Sequence, residues 1–584
     1  MPQGSKRVDL VLLWHMHQPD YRDHTTGEFH LPWVYLHALK DYTDMAWHLE
    51  RHPGVRAVVN FAPVLLDQLD DYVDQFASNR VRDPLLRLLA RPDGTPLAPG
   101  DREFILGRCF QTNHERIVKP FAAYRALLDI FTEVMRHGPE GRAYLSDQYL
   151  RDLLTWYHLG WTGESLRREA PLVARLIAKA SQFTYADRHA LFDLIGATLR
   201  GIVPRWARLA GRRQVELSTT PEYHPLAPLL LDFATAREAR PASPLPVRTY
   251  PGGRERVAVQ LDAALAAHAR RFGAPAAGVW PAEGAISAEF VALLASRGVR
   301  WTASGTQVLR NSLGPIAQAP AADWLYRPWQ LRGPAQQTAC FFRDDFLSDR
   351  IGFEYAKWNG DSAASDLIGA IERIGAMARD DQTPVVSVIL DGENCWEYYP
   401  YNGNYFLDAL YRGIATHPTI RPTTYADWLD GGTGGGIDAG VRVSAGTLEH
   451  LVAGSWVGGD FSTWIGSPER NHAWDLLCAA KECYDLAVAG GRLTREQLDR
   501  ATRQLAACEA SDWFWWLSDS NAASAVAEIE SLFRAHLTHL YALLGEAPPA
   551  ALALPVARGG TSPDSGGAML RASPSEPEAQ ASQR

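Results

Sequence analysis

The chain has 584 residues and a formal net charge of −9, and 46% of its residues are hydrophobic and 21% charged. This composition is typical of a globular protein with ample core, and the length predicts two or three domains. The negative charge argues against a general basic field for nucleic acid or anionic membranes. The sequence contains no run of 18 apolar residues, so no membrane span is predicted. The apolar run of the N-terminus is too short for a signal peptide, so we expect a cytoplasmic protein.

The six cysteines are scattered along the chain and form no Cys-x-x-Cys pair. This spacing indicates neither a zinc knuckle nor a disulfide framework. We therefore expect the thiols to be reduced and mostly buried. The chain also has 19 tryptophans, most of which we expect in the core.

A short apolar run that ends in polar residues recurs through the first 430 residues. The runs cover residues 8–14, 55–61, 215–217, 278–280, 299–302, 341–342 and 384–390. Stretches of helical period separate several of them. Strand, polar tip and helix, repeated about seven times, predict an α/β fold in which residues 1–430 form a parallel β/α barrel. The carboxyl ends of the strands form the active face of such a barrel.

Two further regions are predicted to be helical. Residues 65–209 have few strand signals and are interpreted as an insertion between barrel strands. After a glycine run at 431–436, residues 431–550 are predicted to form a C-terminal helical domain. Its helix starts include Ser467 followed by proline, and a capping box that begins at Thr494. Residues 551–584 are rich in small and polar residues and are predicted to be disordered.

Two histidines, His15 and His17, follow the first strand in the sequence LLWHMHQPDY. They could hold a metal, or bind a hydroxyl of a ligand and orient a carboxylate. A binuclear hydrolase needs further histidines at the strand tips, and only His224 adds one. Asp391 or Glu393 could complete a metal site, so that alternative stays open. We expect that the two histidines bind ligand and that no metal or other cofactor is required.

Carboxylates follow two of the predicted strands. WPAEGA places Glu283 just after Trp280, and LDGENCWEYY places Asp391 and Glu393 after the most apolar strand. Taken singly, Glu283 could complement a helix dipole and Asp391 could belong to a turn. At the tips of one barrel they form the pair that glycoside hydrolysis requires. One group attacks or stabilises the anomeric centre and the other protonates the leaving oxygen.

Three other stretches contribute to the prediction. Glu216 lies inside a strand and is predicted to face the barrel interior, where a carboxylate needs a polar partner. The aromatic segment 454–466 is interpreted as a loop over the active face that supplies Asp460 and a ring for stacking on a sugar. Its Trp456 and Trp464 are also expected to pack the C-terminal helices on the barrel. The ring-rich segment 508–519 is interpreted as packing rather than ligand contact.

In this order, five stretches resemble the conserved regions of glycoside hydrolase family 57, whose members are retaining enzymes active on α-glucans. The stretches are HMHQP, QVEL with TTPEYHP, VWPAE, LDGE and SWVGGDFSTWIG. The resemblance spans residues 8 to about 520. It implies an irregular seven-stranded (β/α) barrel followed by a helical bundle domain that supplies the fifth region. The chain is most similar to the α-amylase and amylopullulanase branch of the family.

The resemblance also assigns roles to individual residues. Glu283 matches the catalytic nucleophile and Asp391 the general acid/base. The sequence departs from the family pattern at Pro281 and Ala282, where an aliphatic and a variable residue are usual. The residues implied or expected to bind substrate are His15, His17, Glu216, Trp280, Glu393, Trp456, Asp460 and Trp464.

The implied activity is retaining hydrolysis of α-1,4 bonds, with α-1,6 bonds as an additional target. The substrates would be starch, glycogen or maltooligosaccharides, cleaved through a covalent glycosyl-enzyme intermediate. A 4-α-glucanotransferase or branching enzyme would use the same two carboxylates and differ in its acceptor and in water exclusion. A metal-dependent, deacetylase-like barrel hydrolase is the remaining alternative. The sequence does not indicate the oligomeric state.

Overall fold

The computed structural model describes residues 7–333, 335–379, 382–431 and 444–560. A mostly parallel sheet forms the centre of these residues. Its strands are β1 Val8–Met16, β2 Ala57–Phe61, β3 Val215–Thr219, β4 Gly278–Val279, β5 Trp301–Gly305, β6 Trp329–Leu331, β7 Ala339–Arg343, β8 Val385–Asp391, β9 Ile420–Thr423 and β10 Gly446–Leu448. All nine residues of β1 are buried. A strand covered on both faces has a continuous apolar sequence, as β1 does, rather than an alternating one.

Seven of the strands close into a barrel. They follow one another in the order β1, β2, β3, β4, β5, β7 and β8, and β8 pairs with β1. The amide of Asp344 joins β7 to β8 by donating to the Ser387 carbonyl at 2.8 Å. Outside this ring, β6 runs antiparallel to β7, β10 lies along β6 and β9 lies along the first half of β1. The predicted irregular seven-stranded barrel is therefore confirmed.

The strand register places polar side chains in one layer at the carboxyl end of the barrel. His15 is aligned with Asn60 on one side and with Asp391 on the other. Asn60 is in turn aligned with Ser218 on β3. Apart from Glu216, the interior beneath this layer is mainly apolar, and its packed members include Val11, Leu13, Val58, Trp301, Phe341 and Ile389. Ligands can therefore approach the polar layer only from the carboxyl end of the strands.

Helices surround the barrel. Those between β1 and β3 are α1 Trp33–His37, α2 Thr43–Arg51, α3 Pro63–Ser78, α4 Pro84–Leu89, α5 Pro99–Arg108, α6 Ala122–Arg136, α7 Asp147–Gly160, α8 Glu164–Glu169, α9 Pro171–Lys179 and α10 Tyr185–Gly211. Those that follow, up to the end of the barrel, are α11 Ala227–Leu231, α12 Ala236–Ala239, α13 Gly253–Phe272, α14 Ala288–Ala295, α15 Thr306–Leu313, α16 Ala321–Trp324, α17 Asp345–Asp349, α18 Gly360–Met377, α19 Asn404–Ala415 and α20 Tyr425–Leu429. Helices α3 to α10 all lie between β2 and β3, in agreement with the predicted helical insertion.

The C-terminal helices pack on the barrel. They are α21 Pro468–Ala489, α22 Arg495–Cys508, α23 Ser511–Trp516 and α24 Ala523–Leu544. The predicted caps at Ser467 and Thr494 are both present. A buried ion pair fixes the domain to α13, because the fully buried carboxylate of Glu509 accepts from Arg256 Nε at 2.7 Å and Nη2 at 3.0 Å. Tyr250 and Gln260 also donate to Glu509.

The chain remains packed beyond α24. Residues Ala550–Ala553 form a short 3-10 helix, and the Val556 amide donates to Glu530 at 2.7 Å. The predicted disorder is therefore wrong for residues 551–560, because their small apolar side chains pack against α24. Residues 561–584 and the predicted break at 432–436 lie outside the described residues. Within the described part of the chain, no helix is long and apolar enough to cross a membrane.

Candidate active site

Glu283 lies in a strained turn that follows β4. Its φ of 56° and ψ of 25° are left-handed, a conformation that costs energy in any residue with a side chain and that often marks a functional position. The loop between β10 and α21 holds this turn in place. Ser455 Oγ donates to the Glu283 carbonyl at 2.8 Å, and the Trp456 amide donates to the same oxygen at 3.2 Å. The predicted loop over the active face therefore positions Glu283 through its backbone.

A chain of hydrogen bonds runs from Glu283 into the barrel. Ser511 Oγ donates to Glu283 Oε1 at 3.1 Å and lies 2.8 Å from His224 Nδ1. His224 Nε2 is 3.0 Å from His15 Nε2, and His15 Nδ1 is 2.7 Å from Asn60 Oδ1. His224, like Glu283, has a left-handed backbone, with a φ of 58°. Ser511 therefore contacts two residues with strained backbones, Glu283 and His224.

The direction of this chain depends on the charge of Glu283. Burial lowers the pKa of His15 to about 3 and the pKa of His224 well below its usual range, so both imidazoles are neutral. A neutral imidazole donates from one nitrogen only, and a serine hydroxyl has one proton. Ser511 can therefore donate to an ionised Glu283 only while His224 Nδ1–H donates to Ser511. In that state His15 Nδ1 is an acceptor, so the Asn60 amide must present its Nδ2 to it. When Glu283 is protonated, the chain reverses and His15 Nδ1–H donates to Asn60 Oδ1, which is the contact observed at 2.7 Å.

A third carboxylate, Asp512, lies beside His17. His17 Nε2 is 3.0 Å from both oxygens of Asp512, and the His17 ring stacks on His224 with centroids 3.7 Å apart. Burial, Asp512 and Asp391 together raise the pKa of Glu283 to about 8. The negative charges of Asp512 and Asp391 therefore both favour the protonated form of Glu283.

Asp391 ends β8 directly opposite His15. Asn394 Nδ2 donates to its Oδ2 at 3.0 Å. Burial raises the pKa of Asp391, against the opposing effects of His17 and Arg343. The following residue, Gly392, cannot be replaced without movement, because a Cβ there would lie 2.3 Å from the sulfur of Met16.

A comparison with models of protein families identifies the family. Residues 11–431 match the model of Glycosyl hydrolase family 57. The chain belongs to this family. The predicted membership is thereby confirmed, and with it an enzyme that acts on glycosides.

Solved structures of family 57 enzymes share the fold. A branching enzyme from Thermococcus kodakaraensis, solved with glucose and additives, matches with a TM-score of 0.57 and 16% identity over 92% of this chain and 90% of its own. A branching enzyme from Pyrococcus horikoshii has a TM-score of 0.54 and 15% identity, covering 95% and 98%. The alpha-amylase AmyC from Thermotoga maritima has a TM-score of 0.54 and 12% identity, covering 92% and 93%. At these identities the likeness shows the fold.

Glu393 and Glu216 occupy structural positions in this family 57 chain. Glu393 is 2% exposed, and its Oε1 accepts from the His17 amide at 3.3 Å and from Gln18 Nε2 at 3.0 Å. Glu216 accepts from Trp301 Nε1 at 2.6 Å and from the Ala426 amide at 2.9 Å. Glu216 faces inward as predicted, but it lies one layer below the site. Both oxygens bind the barrel floor in this structure, and the predicted contact of Glu216 with substrate stays a prediction.

The predicted tryptophans differ in their accessibility. Trp456 is partly exposed, and the Arg343 guanidinium lies 5.1 Å from its ring centre. Trp280 is fully buried and packs 5.2 Å from Trp456, so it forms the base of the site. Trp464 is also fully buried, and its carbonyl accepts from Trp474 Nε1 at 3.0 Å. The packing role of Trp464 is confirmed, but stacking on a sugar is wrong because its ring lies inside the core.

Asp460 does not join the other carboxylates. Its Oδ1 accepts from the Ser462 amide at 2.8 Å and from the Ser462 hydroxyl at 2.7 Å. Its other oxygen lies 3.6 Å from Arg240. The contacts of Asp460 thus stabilise its own loop.

The segment 508–519 was interpreted as packing only, which is wrong in part. Trp513 and Phe514 are fully buried, but the two residues before them, Ser511 and Asp512, reach the site. A Ser-Asp pair at a helix start is the signal that was available, and capping explains such a pair equally well. The sequence also did not identify Arg343 as a residue of the site. It is buried at the end of β7 and donates to the Ile389 carbonyl at 3.2 Å.

One group of described residues has the composition of a metal site. The ligand atoms of His17, His224 and Asp512 all lie within 4.8 Å of one another. The sequence-based prediction against a metal counted His224 but not Asp512, which adds a carboxylate from α23. However, both nitrogens of His224 already have partners, and face-to-face rings do not aim their lone pairs at one centre. Hydrogen bonds account for the cluster, and the absence of a catalytic metal stays a prediction.

Proposed function

We propose that the chain is a retaining glycoside hydrolase that cleaves α-1,4 bonds, with α-1,6 bonds as an additional target, in α-glucans. The observation that supports this most is that two carboxyl groups from different strand tips converge on His15, which is aligned with Asp391 and is linked to Glu283 through Ser511 and His224. Both side chains lie at the carboxyl end of the barrel above a packed floor. The same end of the barrel carries the catalytic groups in enzymes of this architecture.

The two carboxyl groups have different surroundings that suit different roles. Glu283 is bound by the Ser511 hydroxyl, which stabilises its ionised form and can aim one oxygen at an anomeric carbon. Asp391 is half-buried, and its raised pKa suits a group that donates a proton to the leaving oxygen. After the glycosyl-enzyme forms, Asp391 accepts a proton from water, which then attacks the anomeric carbon.

Productive chemistry requires one particular distribution of protons. Glu283 must be ionised and Asp391 protonated, although the pKa of Glu283 in the free protein is about 8. Coupled acids lose their protons as a group, so a proton can reside on Asp391 while Glu283 is charged. We propose that substrate favours this state, because positive charge develops at the sugar next to Glu283. Reversal of the Ser511–His224–His15 chain then supplies a hydrogen bond to the ionised carboxylate.

The test is product analysis on starch, pullulan and short maltooligosaccharides. We expect shorter products only, and maltotriose as the product from pullulan would show cleavage of α-1,6 bonds. Glu283→Gln should be inactive on every substrate. The matched control is Glu289→Gln, which changes an exposed glutamate in the next helix and should retain full activity. Products longer than the starting oligosaccharide would instead identify a 4-α-glucanotransferase or a branching enzyme. Lack of turnover on all α-glucans would contradict the proposal.

A further inference from the structure

Four exposed aromatic residues lie on one part of the surface. Phe346 is 65% exposed, Trp358 44%, Tyr401 58% and Tyr405 54%. In the described residues most other large aromatic side chains are buried or half-buried. We call these four residues the aromatic platform. Exposed large rings that cluster usually mark a surface that binds something.

Two guanidinium groups lie beside the rings. Arg350 is 5.4 Å from the ring centre of Phe346 and 5.4 Å from that of Trp358. Arg350 also pairs with Asp366 at 2.6 Å. On the other half of the platform, Arg168 lies 5.8 Å from the ring centre of Tyr405. Each half therefore combines flat rings with hydrogen-bond donors.

The two halves adjoin each other. The rings of Tyr401 and Tyr405 meet at 90° with centroids 5.3 Å apart. Gly360, two residues after Trp358, packs directly on Tyr405, because a Cβ at Gly360 would lie 2.9 Å from the Tyr405 Cβ. Trp358 and Tyr405 are thus brought together by the start of α18.

Backbone strain holds Tyr401 in its exposed position. Tyr401 and Asn402 are consecutive left-handed residues, with φ values of 53° and 52°. The Asn402 amide is anchored inside the protein, where it accepts from Lys40 Nζ at 3.0 Å and donates to Asp44 Oδ2 at 3.0 Å. These hydrogen bonds hold the turn, and the turn directs the Tyr401 ring to solvent rather than into the core. Strained positions of this kind are often functional.

The platform lies on segments that leave the active face. Phe346 is the third residue after the end of β7, and Tyr401 is ten residues after Asp391 at the end of β8. These two neighbouring strand ends carry Arg343 and the proposed acid/base. Phe346 and Tyr401 therefore lie on segments that begin at the carboxyl end of the barrel, the end that carries the carboxylates.

We propose that the aromatic platform binds an α-glucan chain outside the catalytic site, an inference that rests on the proposed function. Aromatic rings pack against the C–H faces of pyranose units, and the guanidinium groups beside them can donate to sugar hydroxyls. A long chain held there would remain close to the carboxylates, whereas a short oligosaccharide would reach only the catalytic site.

Binding is tested by affinity electrophoresis in gels that contain glycogen or amylopectin. The variants Trp358→Ala and Tyr401→Ala are compared in a Glu283→Gln background, so that turnover does not consume the polymer. We expect at least a fivefold higher Kd for each. Tyr401→Phe, which keeps the ring, should bind like the parent. The control is Tyr144→Ala, which removes a tyrosine that is 90% exposed on the helical insertion. Unchanged retardation of folded Trp358→Ala and Tyr401→Ala would overturn the inference.

Kinetics in the active background separate this inference from the proposed function. The platform variants should raise KM for amylopectin at least threefold and leave kcat/KM for short maltooligosaccharides unchanged. Equal losses on both substrates would contradict a separate binding surface. Lack of activity in the unmodified chain would refute the proposed function, while the gels would still report glucan binding. Conversion of a dimer to a monomer by Trp358→Ala would identify the platform as an interface between copies and overturn the inference.

Discussion

Replacing Asp512 by asparagine should shift the pH dependence of the enzyme. The change keeps the shape of the side chain and removes a negative charge. Asp512 is the charge that contributes most to raising the pKa of Glu283, after burial. A carboxyl group loses its proton more readily when a neighbouring negative charge is removed. The pKa of Glu283 should therefore fall, and the acid limb of the pH profile should move to lower pH.

The size of the shift follows from the separation of the charges. Ser511 precedes Asp512 and bonds Glu283 at 3.1 Å, so we take roughly 6–8 Å as the carboxylate separation when applying Coulomb's law. At an effective dielectric constant of about 20, two unit charges at that distance interact by roughly 2–3 kcal/mol. Since about 1.4 kcal/mol corresponds to one pH unit, the full effect would be about 1.5–2 pH units. Both side chains are 12–15% exposed, so solvent screening should reduce the observed shift to about one pH unit.

The assay is kcat/KM against pH with a maltosyl fluoride, whose leaving group needs little protonation. Its acid limb reports the ionisation of the nucleophile. The control is Asp519→Asn, which removes an exposed charge from the same segment and should leave the profile unchanged. An acid limb that stays in place in Asp512→Asn, or that moves to higher pH, would refute the proposed coupling.

Three other predictions concern the metal, the domain contact and the C-terminal half. Prolonged treatment with a chelator should leave glucan cleavage intact, and a loss of activity that zinc alone restores would contradict this. Glu509→Gln should lower the free energy of unfolding by about 3–5 kcal/mol in urea titrations, because it leaves Arg256 buried without its charge partner; an unchanged midpoint would be inconsistent with that pair. A chain that ends at residue 431 should be inactive even if it folds, because it lacks the C-terminal groups of the site. Full turnover by a barrel with normal circular dichroism would show that those groups are dispensable.

The sequence was most informative where local pattern decides structure. A buried parallel strand has a continuous apolar sequence, and the first polar residue after it lies at the strand tip. This is why Glu283 and Asp391 could be assigned to one face of one barrel. The same reasoning correctly predicted that the Glu216 side chain faces the barrel interior. Alternation gives the face of a strand but not the depth along the barrel, which is set by register with strands far away in the chain.

Contacts between distant segments could not be predicted. Ser511 reaches Glu283 across 228 residues, and the rings beside it have the composition of an ordinary interface. Aromatic content likewise did not distinguish Trp456, which is partly exposed, from the buried Trp464. Which ring is exposed depends on how the C-terminal helices dock, and a single sequence does not show that. The packing of residues 551–560 was not predicted either, because it depends on contacts with α24 that a single sequence does not show.

The central claim is that Glu283 attacks the anomeric carbon and Asp391 serves as acid and base. Time-resolved NMR of oligosaccharide cleavage tests it most directly. We predict that the first product keeps the α configuration, that Glu283→Ala is inactive on every substrate, and that Asp391→Ala retains more activity on glycosyl fluorides than on glucans. Initial release of β-anomers, or ordinary turnover by Glu283→Ala, would contradict the assignment of the two roles.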